Sequence, residues 1–545
     1  MVHPVIDINK NGEIMFYKSL MAAALALAAV SASFAAPLEA AFAVRADRPA
    51  AKIDRNLYGH FVEHLGRGVY EGIWVGEQSD IPNTRGIRND VVAALRKLNV
   101  PVVRWPGGCY ADVHHWQDGV GPRGKRPLGT NTSWGNAPET NAFGTHEFMD
   151  FVAQIGAKPY VGINIGTGTP AEGKAWMEYM TAPAGTPAAK ARQHNGQETA
   201  WEVPFVGVGN ESWGCGGQMR AEFYADQYRL FQGFLHGLSK NKPYFIAAGP
   251  DSDDYHWTET VMARAMDWRE KPVAPLLYNV DKPLFDGLAL HFYTLTGNDW
   301  FNNGSAAGFE ETQWISTLRR ALTMDELIRK HSAIMDRYDP GKKVGLIVDE
   351  WGTWYKAEKN TPSALYQQNT LRDALVAAVT LNIFHHHSDR VRMANIAQMV
   401  NVLQSVILTD KEKMLLTPTY HVFEMYKVHQ DAVHIPVELA SPSYTHGQDT
   451  VPALSVSASR DAAGKIHLSV ANLDPHRGVK VAARLLGVTL RSVSGRVLTA
   501  ERMDSHNEFG APDRFVPVPL HGAKVVNGQL QADIPAKSVT VLELQ

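Results

Sequence analysis

The chain has 545 residues, 45% of them hydrophobic and 20% charged, with 53 Lys and Arg against 56 Asp and Glu for a net charge of -3. That length calls for more than one ordinary domain, and the apolar fraction can fill sizeable cores, which excludes a disordered chain or a coiled coil. The balanced charge offers no basic surface for a nucleic-acid backbone, and two cysteines, Cys109 and Cys215, can build neither a disulfide framework nor a Cys/His zinc cluster.

Residues 19–36, SLMAAALALAAVSASFAA, are apolar and Ala-rich, behind Lys18 and ahead of Pro37. Their length and the small residues Ser33 and Ala35 predict a signal peptide over 1–35, removed near Ala36. The protein is therefore expected to be exported, periplasmic or secreted, with no membrane contact after signal removal. Translation from Met15 would supply the short n-region MFYKSL, which suits export better than a start at Met1 followed by Asp7 and Glu13. Residues 36–52 are expected to join the β-sandwich described next.

Residues 53–430 alternate short apolar runs with longer helical patterns. The runs 56–61, 101–105, 159–165, 203–209, 244–248, 285–291, 344–349 and 392–397 predict eight strands, and helices are expected at 90–98, 222–238 and 312–338. Such an alternation predicts an α/β fold, a (β/α)8 TIM barrel, and no Gly-x-Gly-x-x-Gly follows the first strand to favour a dinucleotide fold. From 431 to 545 the pattern turns to strict alternation, as at 454–459, 465–471 and 538–544, with turn residues at 461–464, 472–478 and Asn527-Gly528. This predicts a C-terminal β-sandwich packed on the barrel.

In such a barrel the active face lies at the C-terminal ends of the strands. The fourth run, VPFVGVGNESWGCGG, ends in Asn210-Glu211, and the seventh, VGLIVDEWGTWY, in Asp349-Glu350. Carboxylates on those strands would meet across the barrel mouth, as glycoside hydrolysis requires of its acid and its nucleophile. One Glu at one strand end is more often a structural ion pair; two, each beside Trp and Gly, are a different matter. No Gly-x-Ser-x-Gly elbow and no His-Glu-x-x-His is present, which argues against esterases and zinc proteases. His385-His386-His387 with Asp389 has a metal-site composition, but consecutive side chains diverge, so a loop ahead of the eighth strand is expected instead, with no metal and no cofactor.

The segments YGHFVEHLGRGVYEGIWVG (58–76), VVRWPGGCYADVHHWQDGVGPR (102–123), ETNAFGTHEF (139–148), VGNESWGCGG (208–217), LHFY (290–293), VDEWGTWY (348–355) and MANIAQMVN (393–401) resemble, in order, the motifs of glycoside hydrolase family 51, the α-L-arabinofuranosidases. The resemblance implies a jelly-roll-like sandwich and a retaining mechanism with Glu211 as acid/base and Glu350 as nucleophile. It also implies that Glu63, Arg104, Asn210, Tyr293 and Gln398 grip the furanose or orient the nucleophile, and that Cys109 faces the sugar. The chemistry of these side chains agrees: Arg104 and Tyr293 suit an ionised nucleophile, Asn210 the sugar 2-OH, Glu63 and Gln398 other hydroxyls, and Trp354 a pocket wall. Cys109 and Cys215 are expected as packing groups rather than a bonded pair.

The expectation is therefore an exo-acting α-L-arabinofuranosidase that releases terminal non-reducing arabinofuranose from arabinan, arabinoxylan and their oligosaccharides. A homo-oligomer is implied by the resemblance alone. Two rivals stand beside this reading: an endo-β-1,4-glucanase or xylanase on the same barrel, and a catalytically silent carbohydrate-binding protein. A closed pocket rather than a long groove would disfavour the first, and Glu211, Glu350, Asn210 and Arg104 together argue against the second. The loop 296–311 is expected to overhang the active face, with Trp300 as a stacking surface for sugars beyond the cleaved bond.

Overall fold

Short apolar runs buried on both faces become the staves of a closed sheet. In the computed structural model, which describes residues 36–238, 242–266, 284–297, 300–357 and 364–545, eight strands close into a parallel barrel. They are, in order, Gly59–Phe61, Val102–Trp105, Lys158–Ile163, Phe205–Val208, Tyr244–Ala247, Gly287–Thr294, Gly345–Thr353 and Val391–Ile396. Each pairs with its successor, and the eighth returns to the first with Asn395 opposite Gly59. Val102, Tyr160, Ile246, Ala289, Ile347 and Met393 form one buried cluster inside, so the barrel is a packed core with its chemistry displaced to the strand ends.

All eight expected strands are present, with shifted ends. Residues 55–58 are a 3-10 turn, because the Asp54 side chain accepts the Asn56 amide proton at 2.9 Å and tightens the chain before the first strand begins at Gly59. The helix expected over 222–238 stops at Gln232, with Gly233 as its cap. The long helix Glu311–Tyr338 and the shorter Asn89–Leu98 lie within one residue of expectation.

The C-terminal part is two sheets facing each other. One has six strands and includes Leu454–Arg460, Ile466–Asn472 and Ser538–Leu544; the other has five. The central region of the five-stranded sheet holds Leu38–Val44, parallel to Val479–Leu485 and antiparallel to Val437–Leu439. Phe42, Val456, Leu468, Val481, Leu530 and Leu542 fill the space between the sheets. Residues Pro37–Gln545 make one compact unit; the expected signal peptide lies outside the described residues.

The helix Leu371–His386 joins the two parts. It starts on a capping box, with Thr370 accepting from the following amides while Asp373 Oδ2 accepts the Thr370 amide proton at 2.7 Å. Its far end corrects the expected loop: His385 and His386 are the last helical residues and His387 is the cap. The reason is tertiary, because these rings are packed against the sandwich. His385 Nδ1 lies 3.0 Å from Ser457 Oγ, His386 Nε2 lies 2.9 Å from the Val456 carbonyl oxygen, and His429 is held between Ser459 Oγ and Ser469 Oγ at 2.7 and 2.5 Å. Burial keeps these imidazoles neutral, with His385 well below the ordinary value and His429 pushed down to about 3.

Candidate active site

In a regular strand, neighbouring side chains point to opposite faces. At the barrel mouth this rule is broken twice. The register between the sixth and seventh strands slips between Ala289 and His291, and that between the seventh and eighth slips between Val348 and Trp351. Such irregularities re-aim side chains. Consequently Asp349 and Glu350, though adjacent, both face the same two cations. Arg104 Nη1 donates to Glu350 Oε1 at 2.8 Å, and Arg104 Nε lies 3.4 Å from Asp349 Oδ2. His291 Nε2 is 3.2 Å from Asp349 Oδ1, an ion-pair distance too poorly angled to satisfy that oxygen, while its Nδ1 is 2.9 Å from Glu211 Oε1 and 3.6 Å from Glu350 Oε2.

The loop bearing Glu211 is bent to bring the carboxyl inward. Gly209 has φ +81°, and Glu211 follows at φ +39°, a region L residues occupy only when the surroundings hold them there. Asp112 supplies part of that hold: its Oδ2 accepts the Asn210 amide proton at 3.0 Å and its Oδ1 those of Ile165 and Gly166 at 2.8 and 2.9 Å. A Cβ on Gly216 would stand 1.9 Å from the Asn210 carbonyl oxygen, so the return of the loop requires glycine there.

That return also joins Cys109 to Cys215 in a disulfide, which corrects the expectation of two packing thiols. The strand-end segment carrying Cys109 and the acid loop carrying Cys215 are 106 residues apart in sequence, yet the fold brings their Cα atoms to 5.5 Å. Cys215 Sγ is 3.5 Å from Glu211 Oε2 and, as a disulfide sulfur, has no proton to donate to it.

Glu63, Cys109, Glu211, Tyr293, Glu350, Trp354 and Gln398 line one small pocket. Arg104 and Asn210 are buried behind it and bonded to each other, Arg104 Nη2 donating to Asn210 Oδ1 at 2.6 Å. This engages the Asn210 carbonyl oxygen, while its amide nitrogen, 3.8 Å from Cys215 Sγ, keeps donor capacity for a sugar hydroxyl. Tyr293 donates to Glu350 Oε2 at 2.8 Å; burial and then the Glu350 charge hold its phenol proton on. Trp354 meets the Tyr293 ring edge-on at 5.0 Å. Glu63 Oε1 accepts from the Tyr110 amide at 2.9 Å and from Trp134 Nε1 at 2.8 Å, and Gln398 Nε2 donates to Glu63 Oε2 at 3.3 Å.

Trp134, His291, Asp349 and Asp112 were not among the expected site residues. His291 and Asp349 stand inside quoted motifs, and a polar residue on an otherwise apolar strand is the signal that marks them. Trp134 has no such signal, because it follows the small hairpin strand Gly129–Asn131, away from any barrel strand.

Charge in the pocket is shared unevenly. Burial alone would lower His291, but Glu350, Asp349 and Glu211 outweigh it and push its pKa up to about 10. Burial would raise Asp349, yet Arg104 and His291 keep it below the usual carboxylate value. For Glu211 burial wins, reinforced by Glu350, and its pKa is raised. Burial and Glu350 likewise push Glu63 up to about 7. One oxygen each of Glu211 and Glu350 and a ring nitrogen of His291 lie within 4.8 Å of one another.

Comparison with known proteins shows the family. The family model described as alpha-L-arabinofuranosidase 1 domain matches residues 94–273, and that of the alpha-L-arabinofuranosidase C-terminal domain matches 349–538. A protein of Bacteroides ovatus described as an intracellular exo-alpha-L-arabinofuranosidase is 44% identical over 531 residues, covering 97% of this chain and all of its own. The chain belongs to the α-L-arabinofuranosidase family, GH51. Among solved structures, the GH51 arabinofuranosidase of Xanthomonas axonopodis pv. citri is 49% identical with a TM-score of 0.89, covering 93% of this chain and 100% of its own. The arabinose complex of the Thermotoga maritima alpha-L-arabinofuranosidase is 28% identical with a TM-score of 0.76, covering 93% and 99%. The arabinofuranosidase match also corrects one expectation from the sequence. The exported location read from residues 19–36 is overturned by the Bacteroides relative, an intracellular protein by its description that aligns with nearly the whole chain.

Proposed function

We propose that this GH51 protein is a retaining, exo-acting α-L-arabinofuranosidase in which Glu350 is the nucleophile and Glu211 the acid/base. The observation that carries the reading is the close approach of the two carboxyl groups in opposite surroundings. Retaining enzymes place them about 5–5.5 Å apart, inverting ones about 6.5–9.5 Å, and an approach of one oxygen of each to within 4.8 Å favours the former. Arg104 and Tyr293 hold Glu350 by two hydrogen bonds, one to each oxygen, as suits an anion about to attack. Burial favours a proton on Glu211, as suits a general acid.

In the first step Glu350 bonds to the anomeric carbon as the glycosidic bond breaks, and the Glu211 proton passes to the departing oxygen. In the second, Glu211 takes a proton from water, which attacks the same carbon and frees Glu350. The carboxylate pair lies in a small pocket walled by Glu63, Trp134, Trp354 and Leu365, which supports exo action over the long groove an endo-glucanase or xylanase needs. The retained pair of carboxylates disfavours a silent binder.

The proposed substrates are terminal non-reducing α-L-arabinofuranosides of arabinan and arabinoxylan origin. If the protein works inside the cell, like its Bacteroides relative, it meets them as oligosaccharides. A homo-oligomer forms part of the same proposal, read by sedimentation. The deciding test is proton NMR of the first sugar released from 4-nitrophenyl α-L-arabinofuranoside: α-configured arabinofuranose is expected, and first-formed β product would overturn the retaining assignment.

A further inference from the structure

We infer that opening the Cys109–Cys215 disulfide creates a binding site for a thiophilic divalent cation of the zinc class, formed by both sulfurs and Glu211, and that filling it shuts the active site. Cys109 Sγ, Cys215 Sγ and a Glu211 carboxylate oxygen lie within 4.8 Å of one another. The two Glu211 oxygens are differently engaged: Oε1 is bonded to His291, and Oε2 faces Cys215 at 3.5 Å. A third ligand is thus already aimed at the sulfur pair. While the disulfide is intact, neither sulfur carries the charge that a metal bond needs.

Two thiols supply two electrons and two protons to the sulfur–sulfur bond and leave as their own disulfide; a phosphine supplies the two electrons, and one water gives the two protons to the sulfurs and its oxygen to the phosphine oxide that leaves. Zinc then displaces the two thiol protons. Two thiolates and one carboxylate with an open fourth position for water form an ordinary tetrahedral zinc set, and thiolates select zinc over magnesium or calcium. Cys215 is exposed, so a reductant reaches it from solvent, and Cys109 stands on the pocket wall, so the metal would sit at the pocket's mouth. In a compartment rich in thiol reductants such a pair is kept open.

Metal capture depends only on the three side chains. Loss of activity rests in addition on Glu211 being the acid/base, as proposed above, so the two are measured separately. The full chain is prepared oxidised and, after treatment with a phosphine that is then removed, with two titratable thiols. Each form is titrated with Co2+ and then Zn2+. The reduced form is expected to take up one equivalent of cobalt with a sulfur-to-cobalt charge-transfer band, to surrender it to zinc, and to lose at least ten-fold in activity until a chelator is added. The oxidised form should show neither band nor loss. Reduced Cys215→Ser should lose the band, whereas reduced Glu211→Gln should keep a weaker-binding one, a readout independent of turnover. A reduced chain that takes up no cobalt would overturn the inference. So would an oxidised chain that binds as tightly, because the metal would then sit on Glu211, His291 and Glu350 alone.

Discussion

His291 Nδ1 lies 2.9 Å from Glu211 Oε1, so the proposed acid shares a hydrogen bond with an imidazole whose pKa is about 10. A positive neighbour favours the ionised form of a carboxyl group, and removing it favours the protonated form. His291→Gln keeps a hydrogen-bonding side chain but deletes the charge. Glu211 should then hold its proton to higher pH, moving the alkaline limb of kcat/KM upward while activity at neutral pH falls. The pH profile reads this directly; an unmoved alkaline limb would show that His291 does not tune the acid.

The two carboxylates should fail differently. Glu211→Ala should cost roughly 10²–10⁴-fold on arabino-oligosaccharides, the usual value of a general acid, and far less on an activated nitrophenyl glycoside. Added azide should restore turnover with retained configuration. Glu350→Ala should be nearly inactive on both substrates, with azide yielding the inverted arabinosyl azide. The swapped pattern would reverse the assignment.

Trp300 is 46% exposed, and its ring meets that of Trp354 edge-on at 5.4 Å, so it extends the pocket wall outward. An aromatic contact of this kind contributes about 0.5–1.5 kcal/mol. Trp300→Ala should therefore lower kcat/KM on an arabino-oligosaccharide about 5-fold and leave a small aryl glycoside within about 2-fold. Equal losses on both would remove Trp300 from recognition of the sugars beyond the cleaved bond.

Acid should loosen the junction between barrel and sandwich. His429 is neutral when folded, with its pKa lowered from 6.5 to about 3 by burial, so the unfolded chain binds more protons between those values. Stability from this group is full above pH 6.5 and is lost as pH falls toward 3, by about 5 kcal/mol over the whole window. His429→Gln can still bond Ser459 and Ser469. It should be less stable than the wild type at pH 7 yet show a shallower decline in unfolding midpoint toward pH 4. Parallel declines would locate acid sensitivity elsewhere.

Much of this was legible because barrel strands announce themselves. Apolar runs such as 203–209 and 344–349 end where the chemistry begins, and Glu211 and Glu350 could be placed across the mouth by strand order alone. The less legible parts arise where local periodicity is overridden. Asp349 and Glu350 sharing Arg104 depends on register slips that no spacing rule reveals. The Cys109–Cys215 bond depends on where two distant loops fold back. The His385–His387 stretch reads as a loop once its diverging side chains rule out a shared metal ion; the helix persists through His386 because its end is covered by Ser457 and the Val456 backbone.

The placement of Leu38–Val44 between Val437–Leu439 and Val479–Leu485 makes the sandwich a discontinuous domain with the entire barrel inserted into it. A fragment cut at residue 431 would lack an interior strand of one sheet and expose two unpaired edges where Phe42 and Val44 now pack. The sandwich therefore cannot be exchanged as a C-terminal cassette. During synthesis, its five-stranded sheet has to wait with its first strand unpaired until some 400 further residues have emerged, while the barrel can close in the interval.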